Sequence, residues 1–176
     1  PGRTLLVPGH GRIADYAAPK SPWEELERDL TKFRPDMLLV SVTTPPLQND
    51  LVACRIAKKL DPQMLTVAKG AHFTSKDDEV LLQHAELDLV IRGESEHAIV
   101  EIAEQRDLSA IQGLAYRAEG VVKRNADRPY IEVENLDQLP FPARHLLKNE
   151  LYTAPDTGEP ITMINTGRGC PHQCIY

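Results

Sequence analysis

Short apolar runs alternate along the chain with segments of helical periodicity. Met37 to Val42 is apolar at almost every position, Leu65 to Ala68 is a shorter run, and Leu87 to Ile91 ends at an Arg-Gly-Glu sequence. Runs of this length are typical of strands that are buried on both faces of a parallel sheet. Arg12 to Tyr16 is a weaker, edge-like strand, and Thr4 to Val7 is either the last turn of a helix or a very short strand.

Four helices are predicted between and after these strands. The first begins after Ser21, because a serine followed by a proline and two glutamates is a signal for a helix start. The second covers Asn49 to Leu60. The third starts near Ser75, where Asp77 to Glu79 form an acidic cluster that favours a helix N-terminus. The fourth runs from Ser95 to about Glu104.

Strands that alternate with helices predict an α/β fold with a flavodoxin-like or Rossmann-like, doubly wound parallel sheet. The pattern changes after Asp107, where Ile111 to Arg117 and Val121 to Arg124 flank a glycine and predict a β-hairpin. A proline-rich connecting arm follows, and Ile161 to Thr166 is predicted as a new strand. The expected division is 1–106 for the α/β domain, 107–160 for the hairpin and arm, and 161–176 for the start of another domain.

Composition and charge narrow the class of protein. The 176 residues suffice for one sizeable core, or for one domain with an appendage. No apolar run approaches the roughly 18 residues of a membrane span, and no secretory signal pattern is present, so the expected location is the cytoplasm. The net charge of −6 disfavours a nucleic-acid partner.

The ends of the predicted strands are the expected ligand site, because open α/β sheets bind ligands outside the carboxyl ends of their strands. Hydroxyl groups follow the first buried strand, and glycines that allow close backbone approach follow the next two. His72 could either contact a ligand or make a structural hydrogen bond. The candidate cofactor-binding residues here are Ser41, Thr43, Thr44, Gly70, Ala71, His72, Gly93 and Glu94.

Two of the three cysteines, Cys170 and Cys174, lie four residues apart in a loop after the last predicted strand. An odd number of cysteines argues against a disulfide framework, and Cys54 is expected to be a small core residue. Thiolates at this spacing are typical of an iron–sulfur cluster. A zinc site that also uses His172, or two unrelated surface cysteines, are the alternatives.

The segment from Gly167 to Tyr176 resembles the opening of the cluster loop of radical S-adenosylmethionine (SAM) enzymes, which has a C-x3-C-x2-C pattern. Residues from about Gly9 to Gly169 resemble the cobalamin-binding (B12-binding) domain of the cobalamin-dependent members of that family. Two features depart from the pattern, since the third cysteine is missing and Lys69 stands where a glycine is usual. The motifs that carry the resemblance are Pro35–Ser41, Lys69–Thr74, Asp88–Glu96, Ile111–Arg117 and Leu136–Arg144.

The resemblance implies that the full-length protein uses cobalamin, a 4Fe–4S cluster and SAM. It implies that Cys170 and Cys174 are cluster ligands, that Tyr176 lies near the adenine, and that no histidine of the chain ligates cobalt. The implied reaction is methyl transfer to an unreactive carbon or phosphorus, or related radical chemistry such as oxidative ring closure. The implied partners are a corrinoid, a small-molecule substrate and an electron donor.

Because its cluster loop is incomplete, the chain by itself is expected to be catalytically inert. Two other interpretations remain open at this point. One is a cobalamin-free, flavodoxin-like domain that recognises a substrate or partner within a radical SAM protein. The other is a zinc or redox protein built on Cys170, His172 and Cys174.

Overall fold

A computed structural model of the chain describes residues 4–7, 21–45, 47–147, 149–165 and 167–169, with the backbone alone at 4–7, 75 and 133. The described residues fall into two compact units, one that ends at Leu139 and one that begins at Pro140. The first unit contains the sheet and its helices. The second contains short 3₁₀ turns at Arg144–Leu146 and Asn149–Leu151 and an isolated bridge between Thr153 and Pro160.

The first unit is built on a six-stranded sheet whose strand order follows the chain. The first four strands are parallel, whereas the last two form an antiparallel hairpin on the β4 edge. The α/β fold is therefore confirmed, but the hairpin that the sequence analysis assigned to a separate region continues the same sheet. The strands are β1 (Thr4–Val7), β2 (Met37–Ser41), β3 (Leu65–Lys69), β4 (Leu89–Ile91), β5 (Leu114–Ala118) and β6 (Val121–Arg124).

Helices cover both faces of this sheet. Right-handed crossovers between sequential parallel strands place the intervening helices on one face, and the first three helices share one buried layer there. The fourth helix packs on the opposite face, beside a 3₁₀ turn at Leu108–Ala110. The helices are α1 (Pro22–Phe33), α2 (Leu47–Leu60), α3 (Phe73–Gln83) and α4 (Glu96–Ala103), and a further 3₁₀ segment covers Val133–Gln138.

The two buried layers follow from the alternation of side chains along the strands. Leu38 and Val40 of β2 face the layer of α1 to α3, whereas Leu39 lies in the layer of α4. Cys54 is fully buried in the first layer, which confirms its expected role as a core residue. Burial raises the pKa of its thiol to about 12, so the thiol stays protonated at neutral pH.

The helix starts test the sequence signals directly. The hydroxyl oxygen of Ser21 accepts a hydrogen bond from the backbone N–H of Trp23, so the predicted start of α1 is confirmed. The third helix begins at Phe73, two residues before the predicted start near Ser75, and has a non-helical residue at Lys76.

The acidic cluster after Ser75 also differs from its prediction. The side chain of Asp77 is only 1% exposed, and its carboxylate accepts hydrogen bonds from Arg92 at 3.2 Å and Arg124 at 2.8 Å. Asp78 and Glu79 are exposed, and no acidic residue lies in the first turn of α3. Asp77 is thus the acid of a buried ion cluster that joins α3 to the end of β4 and to the hairpin.

Two strand predictions have clear outcomes, and a third lies outside the described residues. Thr4–Val7 is the short strand rather than the last turn of a helix, because it pairs in parallel with β2. Residues 161–165 are irregular, so the strand predicted there is wrong within this part of the chain. A strand needs neighbours to pair with, and Met163 and Ile164 are largely exposed instead. Arg12 to Tyr16 is not among the described residues.

Candidate functional site

The parallel register brings the ends of three strands together at one edge of the sheet. Ser41 at the end of β2 pairs with Lys69 of β3, and Lys69 in turn pairs with Ile91 of β4. The residues that follow these three positions therefore leave the sheet side by side. Together with Ser41 they include all eight candidate residues that the sequence predicts at this edge: Ser41, Thr43, Thr44, Gly70, Ala71, His72, Gly93 and Glu94.

Two hydrogen bonds tie the loop after β2 to the loop after β3. The backbone N–H of Val42 donates to the carbonyl of Lys69 at 2.7 Å, and Nδ1 of His72 lies 3.1 Å from the Thr44 hydroxyl. The imidazole also meets the Phe73 ring edge-to-face, with the ring centres 5.5 Å apart. The structural hydrogen bond foreseen for His72 is therefore present. Nε2 has no hydrogen-bond partner among the described residues.

Gly70 is required by the backbone of this edge. Its φ is +137°, and a Cβ at this position would lie 1.9 Å from the carbonyl oxygen of Val42. Both the dihedral angle and the close approach exclude a larger residue without rearrangement of the loop. Gly70 thus permits the close approach of the two loops, and this requirement does not depend on a ligand.

Arg92 follows β4 directly, and its guanidinium is saturated by protein groups. It donates to Asp77 and to the Leu114 carbonyl through Nη1, to the Asn125 carbonyl through Nη2, and to Asp127 through Nε and Nη2. The hydrogen bonds and charge of Arg92 hold the pKa of Asp127 below its usual value. Arg92 is therefore a structural cation and is not available to a ligand.

Glu94 and Gly93 lie at the β4 end of the edge. A carboxylate oxygen of Glu94 accepts a hydrogen bond of 2.6 Å from the backbone N–H of Ile131. This bond fixes the segment after the hairpin against the end of β4, so Glu94 has a structural partner that the sequence did not reveal. Gly93 has a φ of +70°, and a Cβ there would meet no atom within 4 Å.

Lys69 ends β3 between Ser41 and Ile91, and it is half-buried. Its ammonium group has no hydrogen bond or ion pair with any residue that the structure describes. In the sequence, this lysine is a departure from a glycine-rich pattern. In the described structure it is the basic side chain of this edge that is not engaged in an ion pair.

An open depression of about 580 Å³ lies beside the start of α4. The sequence does not predict it, because most of its lining lies outside the long helices and strands, in segments that carry no periodic signal. Its polar and aromatic lining includes His97, Gln112, Arg128, Tyr130, Asn135 and Gln138.

The C-terminal candidates Cys170, Cys174, Tyr176 and His172 lie outside the described residues. Within the described ranges, no group of three or more histidine, cysteine or acidic side chains is placed to hold a metal ion. No helix in the same ranges is long and apolar enough to cross a bilayer.

Comparison with known proteins identifies the family of this fold. The family model of the B12 binding domain matches residues 8–103. An uncharacterized methyltransferase of Pyrococcus horikoshii is 30% identical over 94% of this chain and 36% of its own length. An anaerobic magnesium-protoporphyrin IX monomethyl ester cyclase of Rubrivivax gelatinosus is 26% identical over 87% of this chain and 28% of its own length. The chain thus spans about a third of the length of these curated relatives.

A solved structure shares the fold at low sequence identity. The radical S-adenosylmethionine methyltransferase TsrM of Kitasatospora setae, determined with cobalamin and a 4Fe–4S cluster bound, superposes with a TM-score of 0.57. The match covers 74% of this chain and 30% of TsrM at 16% identity. The family model covers more than half of the chain, so the resemblance drawn from the sequence motifs is confirmed, and the chain belongs to the B12-binding domain family.

Proposed function

We propose that this chain binds cobalamin at the carboxyl edge of β2, β3 and β4 and forms the corrinoid-binding part of a longer radical SAM enzyme. The observation that carries the proposal is the match to the B12-binding domain on a sheet whose strand ends present a polar, glycine-containing edge. Ligand binding at this edge is the general behaviour of open α/β sheets.

The groups at the edge suit the chemistry of a corrinoid. Cobalamin is a large cofactor with amide side chains around its ring and a nucleotide tail that carries one phosphodiester. Ser41, Thr43 and Thr44 offer hydroxyls that donate to and accept from amides, and Lys69 offers a cation. Gly93 leaves space above its backbone, since no atom lies within 4 Å of a Cβ there.

When bound, cobalamin supplies a cobalt centre that can carry a methyl group. The residues of this chain would bind and orient the cobalamin, and none of them needs to take part in a covalent step. His72 is held by Thr44 through Nδ1, so its free Nε2 is suited to a hydrogen bond with an amide at the rim. The chain alone is therefore expected to bind its cofactor and to be catalytically inert.

The cluster, SAM and the electron donor that the family resemblance implies belong to the longer protein. We propose that Cys170 and Cys174 are two ligands of a 4Fe–4S cluster, that Tyr176 lies beside the adenine of SAM, and that an electron donor reduces the cluster. The relatives are named as a methyltransferase and a cyclase, so methyl transfer and oxidative ring closure on a small molecule are both compatible reactions. The cytoplasm remains the proposed location.

The domain borders at 1–106, 107–160 and 161–176 also remain a proposal. The continuity of the hairpin with β4 and the compact unit that ends at Leu139 support a first border near residue 139 instead of 106.

The test is a visible absorption titration of the chain with hydroxocobalamin, followed by desalting. Ala71 is exposed at the proposed edge, whereas Ala85 is exposed in the loop before β4, at the opposite edge. We expect the parent and Ala85→Trp to retain one equivalent, and Ala71→Trp to lose it, because an indole at the edge occupies the space of the ligand. Equal retention by the two tryptophan variants would place the cofactor elsewhere.

A cobalamin-free recognition domain is the second candidate function. Lys69 is the observation that favours it, because its side chain adds bulk and charge where the family usually has a glycine. This candidate predicts that the parent retains no cobalamin in the same titration.

A further inference from the structure

We infer that Lys69 supplies the cation that binds the phosphodiester of the cobalamin nucleotide tail. This assignment rests on the proposed function, because it gives one residue of the proposed edge a specific partner within the same ligand. Lys69, which stands where the family usually has a glycine, would then contribute directly to binding of the ligand. Three features support it: the position of Lys69 in the sheet, its lack of a partner and the charge of the ligand.

Lys69 lies at the rim of the sheet on the side of α4. Along β3, Ala68 is buried in the layer of α1 to α3 and Val67 in the layer of α4. Side chains alternate along a strand, so Lys69 shares the side of Val67. Its neighbours across the register are Ser41 and Ile91, each at the end of its own strand. The half-buried stem therefore packs at the end of the sheet, where the chain leaves it.

Among the residues that the structure describes, the ammonium group of Lys69 has no anionic partner, in contrast to the other charged groups of the same edge. Arg92 is occupied by two carboxylates and two carbonyls, and Glu94 accepts from Ile131. Across the described strand-end segments 41–45, 69–72 and 91–94, Lys69 is the one cation left unpaired. The stem of Lys69 is half-buried and its ammonium group is unpaired, so a bound anion can accept a charge-assisted hydrogen bond from it.

The charge of the ligand matches this single cation. The corrin amides of cobalamin are neutral, and the phosphodiester of the tail is its one anionic side group. A phosphate at this edge therefore pairs with Lys69 and not with the saturated Arg92.

The experiment compares the parent chain with Lys69→Met and Lys69→Arg. Methionine keeps an unbranched stem of similar length and removes the charge, whereas arginine keeps the charge. Each protein is titrated with hydroxocobalamin and with aquocobinamide, which has the corrin amides but lacks the phosphodiester and the base. Charge-assisted hydrogen bonds contribute enough to predict an affinity for cobalamin about tenfold or more weaker in Lys69→Met. Lys69→Arg should bind cobalamin within about threefold of the parent, because both cations pair with phosphate.

The affinity for aquocobinamide should be equal in the parent and Lys69→Met, which also shows that the variant is folded. The difference between the two proteins in cobalamin affinity should shrink between about 0.05 and 0.5 M salt, as screening weakens the pair. Equal cobalamin affinities in the two proteins would overturn the assignment. So would an equal loss of affinity for both corrinoids, since Lys69 would then contact the ring or support the fold. A parent that binds neither corrinoid would instead overturn the proposed function.

Discussion

Removal of the nearly buried Arg92 should strongly destabilise the first unit. Its side chain is 5% exposed, and that of its partner Asp77 is 1% exposed. In Arg92→Met the carboxylate of Asp77 stays buried and keeps only Arg124 as a cation. The carbonyls of Leu114 and Asn125 lose a donor as well. The second carboxylate oxygen of Asp77 already has no hydrogen-bond partner in the described structure.

The magnitude follows from the cost of breaking a buried ion pair, which is about 3–5 kcal/mol when one partner is removed. Arg124 is half-exposed and offsets part of this cost, so we expect a loss of about 3 kcal/mol in the free energy of unfolding. Replacing both partners relieves the buried charge. The double variant Asp77→Leu with Arg92→Met should therefore be more stable than Arg92→Met alone.

Urea unfolding measures this loss with two probes, the far-ultraviolet circular dichroism and the fluorescence of Trp23, which is the single tryptophan. Trp23 packs against the layer of α1 to α3, so it reports on the sheet and its helices. Arg28→Met is the matched control, because Arg28 is exposed and its change should cost less than about 0.5 kcal/mol. A loss below about 1 kcal/mol in Arg92→Met would refute the claim that this cluster is a stabilising element.

Two further predictions concern single residues of the first unit. Gly70→Ala should cost at least about 3 kcal/mol, because it combines a positive φ with a backbone clash at Val42. Gly120→Ala, at a positive φ with open space around it, should cost only about 1 kcal/mol in the same urea assay. Similar costs would contradict the tight approach of the two loops. Burial and the raised pKa of Cys54 predict that a thiol reagent at pH 8 labels at most two of the three cysteines before urea is added, and all three afterwards. Labelling of three thiols in the folded chain would show that Cys54 is accessible.

The alternation of apolar runs and helical segments was enough to predict the α/β fold and its parallel strands. These are local signals: continuous apolar stretches for β2 to β4, and the Ser21 cap with its proline and glutamates for α1. The hairpin was also predicted from its local turn. Its attachment to β4 was not, since pairing between Leu89 and Tyr116 is a contact between distant positions that no local pattern encodes.

The site was predicted in part for the same reason. The strand ends Ser41, Gly70 and Gly93 follow from the position of each strand, so the local apolar pattern is sufficient to indicate them. The roles of Asp77, Arg92 and Glu94 cannot be predicted from a local pattern, because their partners are 15 to 47 residues away in sequence. Arg117 is a similar case, since it donates to four carbonyls around the end of α3, including those of Leu81 and Leu87.

Hydrogen–deuterium exchange with and without hydroxocobalamin tests the central claim most directly, because it locates the ligand on the chain. Bound cobalamin at the carboxyl edge predicts slower exchange in residues 41–45 and 69–73, which include the hydrogen-bonded pair Thr44 and His72. The hairpin at Val121–Arg124, on the far edge of the sheet, should be unaffected. Protection confined to the depression lined by Tyr130 and Asn135, or no protection anywhere at saturating cobalamin, would contradict the account.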